Sequence, residues 1–288
     1  EIYWKAKYFI HQTDFIVGRL TGIYNISDHS NAFKTGFDLL EYKWPDYIEK
    51  ELKIDIGKLP QIIKPGGIIS TISSKISKEF GLAESTYVVA GMTDSNASLF
   101  SSGASSVGDF SSTIGTSLVI KGISKDLIRD KRGRVYCHLH PEGLWLPGGA
   151  SNTGGECLEE KFSGDDFGKL DKEIENLDVT GLIIYSLIGI GERFPFINKN
   201  AEGFIVGDPK DRYQLYKGYL EGVGFIERLC YKIIKKLGGD LRDKVFITGG
   251  GAKSNVWSKI RANILNKKLI KPKIEDTAMG AAIIAASR

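Results

Sequence analysis

Short apolar runs rich in β-branched residues alternate with helical patterns along the whole of this 288-residue chain, and three of the runs end in glycine-rich turns. That alternation is the strongest constraint on the fold, because strands separated by helices bury their faces in a layered α/β domain. The clearest helix runs from about Tyr213 to Leu237. Leu215, Tyr219, Ile226, Cys230, Ile233 and Leu237 recur at three- and four-residue steps, and Gly238-Gly239 supplies the stop. After it come a strand at "KVFITGGG", a helix at "SNVWSKIRANIL" and a small-residue helix at "TAMGAAIIAAS". Earlier, residues 1 to 24 have helical spacing and end in a Gly-containing turn. "SDHSNAFKTGFDL" predicts a polar loop, and Pro45 opens a short helix. Two extended pieces flank Pro65-Gly66-Gly67, a brief helix stops at Gly81, and a strand spans Tyr87 to Ala90. From residue 103 the stretch "GASSVGDFSSTIGTSLVIKGIS" predicts a hairpin, and the change of character places a domain boundary there, with 1–103 in one domain and 104–288 in the other. A chain of this size ordinarily divides its core in this way.

Composition excludes several classes. Thirty-nine basic against 35 acidic side chains leave +4, too thin an excess for a nucleic-acid surface, so no nucleic-acid partner is expected. Cys137, Cys157 and Cys230 are odd in number and widely spaced, which predicts neither a disulfide framework nor a zinc knuckle and fits a reducing cytoplasm. No signal-peptide layout opens the sequence and no apolar stretch nears the roughly 20 residues of a membrane helix, so no membrane partner is expected. The first residue is a glutamate and the only methionines are Met92 and Met279, which suggests a fragment of a longer chain.

Three turns carry the candidate chemistry. "STIGTSL" offers the backbone N–H groups of Gly115, Thr116 and Ser117 with two hydroxyls, a set able to cradle phosphate oxygens. "FITGGGAKSN" joins a strand to a helix, where glycines admit a planar ligand and the helix N-terminus favours anions. "GGASNTGGE" is a third such turn. Two common nucleotide motifs are excluded: Ala252 stands where a P-loop needs Gly before Lys253-Ser254, and Ser254 stands where the dinucleotide fingerprint needs Gly. A fourth feature is Asp94, a lone carboxylate in "GMTDSNA" directly after a strand. From its position alone it suits either a helix cap or a general base. His138, His140 and Cys137 lack a further ligand at metal-binding spacing. Glu159-Glu160 diverge on a helix, and Lys267, Lys268, Lys271 and Lys273 form an ordinary basic surface.

In order and spacing, "GMTDSNA", "STIGTS", "GGASNTGG", "GERFPF", "TGGGAKSNVW" and "AMGAAIIAA" resemble the FGGY family of carbohydrate kinases, and "SDHSNAFKTGFD" with "GGASNTGG" resembles its ribulose kinase or xylulokinase-like members. The resemblance covers essentially the whole chain and implies the actin/hexokinase-like (ribonuclease H-like) two-domain ATPase fold. It implies Asp94 as catalytic base beside the sugar and Gly115, Thr116 and Ser117 as a phosphate loop. Gly154 and Gly155 would lie near the nucleotide, and Gly249, Gly250, Gly251, Ala252 and Asn255 would form the adenosine site. Family members open with an Asp-x-Gly-Thr phosphate loop that this sequence lacks, so its first domain is expected to be incomplete at the N-terminus.

The implied function is ATP- and Mg2+-dependent phosphorylation of a sugar hydroxyl, on a ketopentose such as D-ribulose or D-xylulose. The chain by itself is expected to be inactive. The alternative is a non-catalytic nucleotide-binding or interaction protein that keeps the fold. A homodimer is permitted by the sequence but not specified by it.

Overall fold

The aromatic and aliphatic opening stretch breaks into two helices, α1 (Ile2–Lys5) and α2 (Gln12–Thr21), in the computed structural model, which describes residues 2–287. His11 N donates to the Asp14 carboxylate at 2.8 Å to start α2, and Gly22, at φ 85°, stops it in the left-handed region where glycine carries no Cβ penalty. The chain divides into two compact units. The first holds the residues up to Ser101, then His138–Gly143 and the residues from Asp276 on; the second holds Ser102–Cys137 and Leu144–Glu275.

In the first unit β1 (Ile26–Asp28) runs into α3 (His29–Ala32). After α4 (Tyr47–Lys50), β2 (Gln61–Ile63) pairs with β1 in parallel, Ile26 opposite Gln61. β3 (Ile68–Thr71) and β4 (Tyr87–Val89) form an antiparallel pair, so the two extended pieces around Pro65 do not pair with one another; α5 (Ser74–Phe80) joins β3 to β4. α6 (Asp94–Ser101) follows. "SDHSNAFKTGFDL", expected as a polar loop, begins instead as buried strand and helix, with Ser27, Asp28, His29 and Ser30 at most 2% exposed. The reason is internal satisfaction of its carboxylate: Asp28 accepts from Ser30 N (2.8 Å) and Asn31 N (3.1 Å) and from both side chains, so that both of its oxygens are hydrogen-bonded on burial.

The second unit is built on one sheet. Its elements are β5 (Phe110–Ile114), β6 (Leu118–Gly122), β7 (Tyr136–Leu139), whose last two residues are counted with the first unit, and β8 (Trp145–Ser151), then α7 (Glu156–Lys161) and α8 (Phe167–Ile174). A separate antiparallel pair, β9 (Ile183–Tyr185) with β10 (Phe204–Val206), precedes the long helix α9 (Arg212–Lys236); β11 (Lys244–Thr248), α10 (Asn255–Leu265) and β12 (Lys268–Ile270) close the unit. The strand order is β12-β11-β5-β6-β8-β7, parallel where β11 meets β5 and β12 and antiparallel through the β5–β6 hairpin and β8. Phe110, Ile114, Leu118, Ile120, Leu220 and Val223 are among the side chains of its core, none more than 1% exposed. α8, β10 and β12 have no counterpart in the sequence-based expectation, each being short and interrupted by charge or preceded by a polar loop. The chain then returns to the first unit as α11 (Thr277–Ala286), which packs on α6 so closely that a Cβ at Gly280 would lie 1.9 Å from Ala97 O. No helix among the described residues is long and apolar enough to cross a membrane.

Candidate functional site

Ile114, at the end of β5, is the point against which the three glycine-rich turns of the second unit pack. The hairpin turn Gly115–Ser117 closes with Gly115 N donating to Ser117 O at 3.1 Å. The turn after β8 is stitched to it: Leu118 N donates to Thr153 O (3.0 Å), Gly155 N to Gly115 O (2.7 Å) and Glu156 N to Thr116 O (3.2 Å). A side chain at Gly154 would put its Cβ 2.4 Å from Thr116 O, so glycine there is a requirement of packing. The turn after β11 crosses the same strand end. Gly249 takes φ +81° with its Cβ position 2.6 Å from Ile114 O, and a Cβ on Gly251 would meet Ile114 Cβ at 2.8 Å. The Thr113 and Thr248 hydroxyls share a hydrogen bond of 2.7 Å between the two strands beneath.

The turns open onto a cavity of about 720 Å3. Gly115, Thr116, Gly155, Gly250 and Gly251 contribute backbone to it, while Phe167, Tyr216 and Trp257 give it aromatic walls. Two of these glycines answer to no neighbouring protein atom: a Cβ on Gly115 would meet nothing within 4 Å, and one on Gly250 only Ile114 O at 3.8 Å. Trp257 is fixed by its indole N–H donating to Leu220 O at 3.1 Å. Tyr216 Oη donates to Asp171 Oδ1 at 3.0 Å; burial first, and the Asp171 charge next, push the Tyr216 hydroxyl far above the usual phenol range, so it stays a neutral donor. Apolar walls for a planar ring beside a floor of backbone N–H and hydroxyl groups make a chemically apt nucleotide cavity.

Not every residue singled out in the sequence lines this cavity. Gly154, Gly249 and Ala252 lie behind it in the packing of the turns. Ser117 joins Thr116 along a smaller recess of about 240 Å3 with Asn152 and Gly191. The Asn255 amide oxygen accepts from Lys271 Nζ at 2.8 Å. Conversely, Phe167 and Asp171 of α8 and Glu159 of α7 line the cavity without having been marked as site residues. α8 has no counterpart in the sequence-based expectation, and the divergence of Glu159 and Glu160 on α7 does not show which of them meets the cavity; both helices come to it through packing that local spacing does not encode.

In the first unit Asp94 is the first residue of α6 and is exposed. Its Oδ1 accepts from Ser95 N at 2.6 Å, the N–H of the next residue, whereas a capping side chain serves the N–H two or three positions on. The loop before it is anchored from below: Thr93 N donates to Ser30 Oγ at 2.9 Å, and that hydroxyl donates to the buried Asp28 carboxylate. Asp28 and Ser30 therefore hold the carboxylate-bearing loop in place, a role hidden in the sequence by the separation of 63 positions from Ser30 to Thr93. Cys137 turns its thiol to Ile128 O, and His140 Nδ1 accepts from Glu142 N. Among the described residues no group of three His, Cys, Asp or Glu side chains is placed to hold a metal ion.

Comparison with known proteins agrees with the architecture. The profile of the FGGY family of carbohydrate kinases, N-terminal domain, matches residues 1–101, and that of its C-terminal domain matches residues 111–288. The xylulose kinase of Bacillus subtilis is 25% identical over 99% of this chain and 59% of its own length, and the gluconokinase of the same organism is 27% identical over the same shares. The chain thus spans about 59% of the length of these relatives. The crystal structure of a xyloylose kinase from Brucella ovis superposes with a TM-score of 0.88 at 26% identity, over 98% of this chain and 60% of that one. These neighbours have the actin/hexokinase-like two-domain fold, and this α/β chain has it too. With profiles of both domains matching nearly its whole length, the chain belongs to the FGGY family of carbohydrate kinases.

Proposed function

We propose that the protein phosphorylates a sugar hydroxyl at the expense of ATP, with a ketopentose such as D-xylulose or D-ribulose as acceptor, and that it does so in the cytoplasm. The observation that carries the reading is the convergence of three glycine turns and three aromatic walls on one cavity of about 720 Å3 in a chain of this family. ATP fits the residues present, because the backbone at Gly115 and Gly250 is open to close approach where no protein atom requires glycine. Thr116 and Ser117 would donate to phosphate oxygens, with Gly115, whose N–H is held by Ser117 O, and Gly155 admitting the ligand to the backbone and Gly154 packed behind. Gly250 and Gly251 would lie against the adenosine, with Gly249 and Ala252 packed behind them and Asn255 at the start of the following helix. Magnesium, when bound with ATP, supplies neutralisation of phosphate charge. Asp94, held by the Asp28–Ser30–Thr93 chain, would accept the proton of the attacking hydroxyl. The same proposal assigns the sugar to the first unit and the nucleotide to the second, so that His138–Gly143 and the residues from Asp276 on, expected within a domain of 104–288, fall with the sugar-side unit. Relatives named as kinases of xylulose and gluconate support a polyhydroxylated acceptor.

The test is a coupled ADP-release assay with D-xylulose, D-ribulose, gluconate and glycerol on the protein at its full encoded length. ADP release that depends on a ketopentose and on magnesium is expected. Tight ATP binding with no acceptor-dependent release would instead assign a non-catalytic nucleotide-binding protein.

A further inference from the structure

Glu192, the acid of "GERFPF", is only 3% exposed, and it accepts six hydrogen bonds from neutral donors. Oε1 takes three backbone N–H groups: Asn152 at 2.8 Å, Arg193 at 2.9 Å and Phe194 at 3.4 Å. Oε2 takes three hydroxyls: Ser151 at 2.8 Å, Tyr185 at 3.1 Å and Thr153 at 3.2 Å. A buried carboxylate is costly unless its lone pairs are filled, and here they are filled from the end of β8, the turn that follows it, β9 and the residues next to Glu192 itself. Asn152 strengthens the link by donating through Nδ2 to Gly191 O at 2.9 Å. The consequence travels two residues. Thr153 O receives Leu118 N, and Gly155 and Glu156 donate to Gly115 and Thr116, the turn that lines the cavity.

We infer that Glu192 is a positioning residue for nucleotide binding: its carboxylate fixes the Ser151–Gly155 turn, which in turn sets the Gly115–Thr116 backbone at the cavity. This rests on the reading of the cavity as the nucleotide site. Glu192 touches no lining of that cavity and acts only through the turn. The split of its donors makes a specific prediction about substitution. A glutamine can keep its oxygen on the three N–H groups and donate through the two hydrogens of its NH2 to two of the three hydroxyls, which can rotate to accept. An alanine takes the acceptor from three N–H groups, that of Phe194 buried and those of Asn152 and Arg193 partly so, and the turn loosens.

The experiment is equilibrium titration of the full encoded chain with AMP-PNP, paired with the KM for the sugar, for E192A, E192Q, T153V and the remote control E221Q. Glu221 is another buried carboxylate of the same unit, accepting from the Thr180 hydroxyl at 2.6 Å, and serves as a comparison for general loss of packing. E192A is expected to weaken AMP-PNP at least about tenfold, E192Q by no more than about threefold, and T153V by an intermediate amount, with the sugar KM unchanged throughout. E221Q should leave AMP-PNP affinity as in the parent. Parent-like affinity in E192A, or equal losses toward AMP-PNP and sugar, would overturn the role; if E192A does not fold, parent-like affinity in T153V would overturn it. Failure of the unsubstituted protein to bind AMP-PNP would instead overturn the nucleotide assignment of the cavity.

Discussion

The glycines of the second unit divide by what a side chain would strike, and that division separates folding from binding. At Gly249 a Cβ would need φ +81° and would sit 2.6 Å from Ile114 O, so Gly249→Ala should cost about 1–3 kcal/mol of stability whatever the ligand. At Gly250 only Ile114 O lies near, at 3.8 Å, so Gly250→Val should leave the urea midpoint nearly unchanged while weakening ATP about tenfold or more and sparing the sugar. Paired titrations and melts of the two variants check this, and equal losses for both ligands at Gly250 would point to misfolding. Asp94→Ala should lower turnover by about 10²–10⁴-fold with ATP affinity retained, the usual worth of a positioned general base. Near-normal turnover would remove Asp94 from the chemistry. His29, 1% exposed, yields a pH prediction: burial, the largest influence, lowers its pKa from 6.5 against the opposing Leu139 carbonyl and Asp28 charge. The unfolded chain then takes up the proton first as pH falls. Stability that is fully present above pH 6.5 is lost below it, down to the depressed folded value. Melting temperatures from about pH 7 to about pH 5 should fall less steeply in His29→Gln, which removes the titrating ring, with His140, shifted in the same direction by its own burial, keeping some slope.

Elements are placed here by close contacts between distant parts of the chain. α6, which begins at Asp94, lies against α11 with Gly280 over Ala97 O, a gap of 1.9 Å for any Cβ. Gly280→Val should therefore push the helices apart, costing about 1–3 kcal/mol by overpacking and lowering turnover through displacement of the Asp94 loop. Chemical denaturation and kinetics on the same variant would show both effects, and a parent-like urea midpoint would disprove the crossing. In the second unit α9 and α10 are tied by Glu227 and Arg261, each with no exposed side-chain surface, through bonds of 2.7 and 2.8 Å. Such a buried pair fixes which helix faces meet more than it adds to stability. The long helix α9 was legible from its spacing to within a residue at either end, because a stripe recurring every three or four residues has one helical solution over 25 positions. The "SDHSN" segment was misjudged because polar composition says only that partners are needed, and Asp28 supplies them internally.

At the scale of the whole molecule, nucleotide binding and stability are linked. If the cavity is the ATP site, nucleotide at about 100 times its Kd should stabilise the folded chain by about 2.7 kcal/mol, read as a rise in melting temperature that grows with the logarithm of concentration. Amide exchange should slow most in the turns after β5, β8 and β11. A melting temperature indifferent to ATP would remove the cavity from the nucleotide reading. Spacing, glycine and β-branching within a few residues were enough for the α/β class, for glycine turns at the ends of strands and for Asp94 after a strand, because each is a local property of the chain. The closing of the core alone settles which glycines pack on Ile114 and which face the cavity. It alone brought Phe167 and Asp171 to the cavity wall, joined Ser30 to Thr93 across 63 positions, and filled the lone pairs of Glu192 from four places in the chain. Those outcomes depend on which surfaces meet when the core closes, and local propensity carries no information about the partner a side chain will find there.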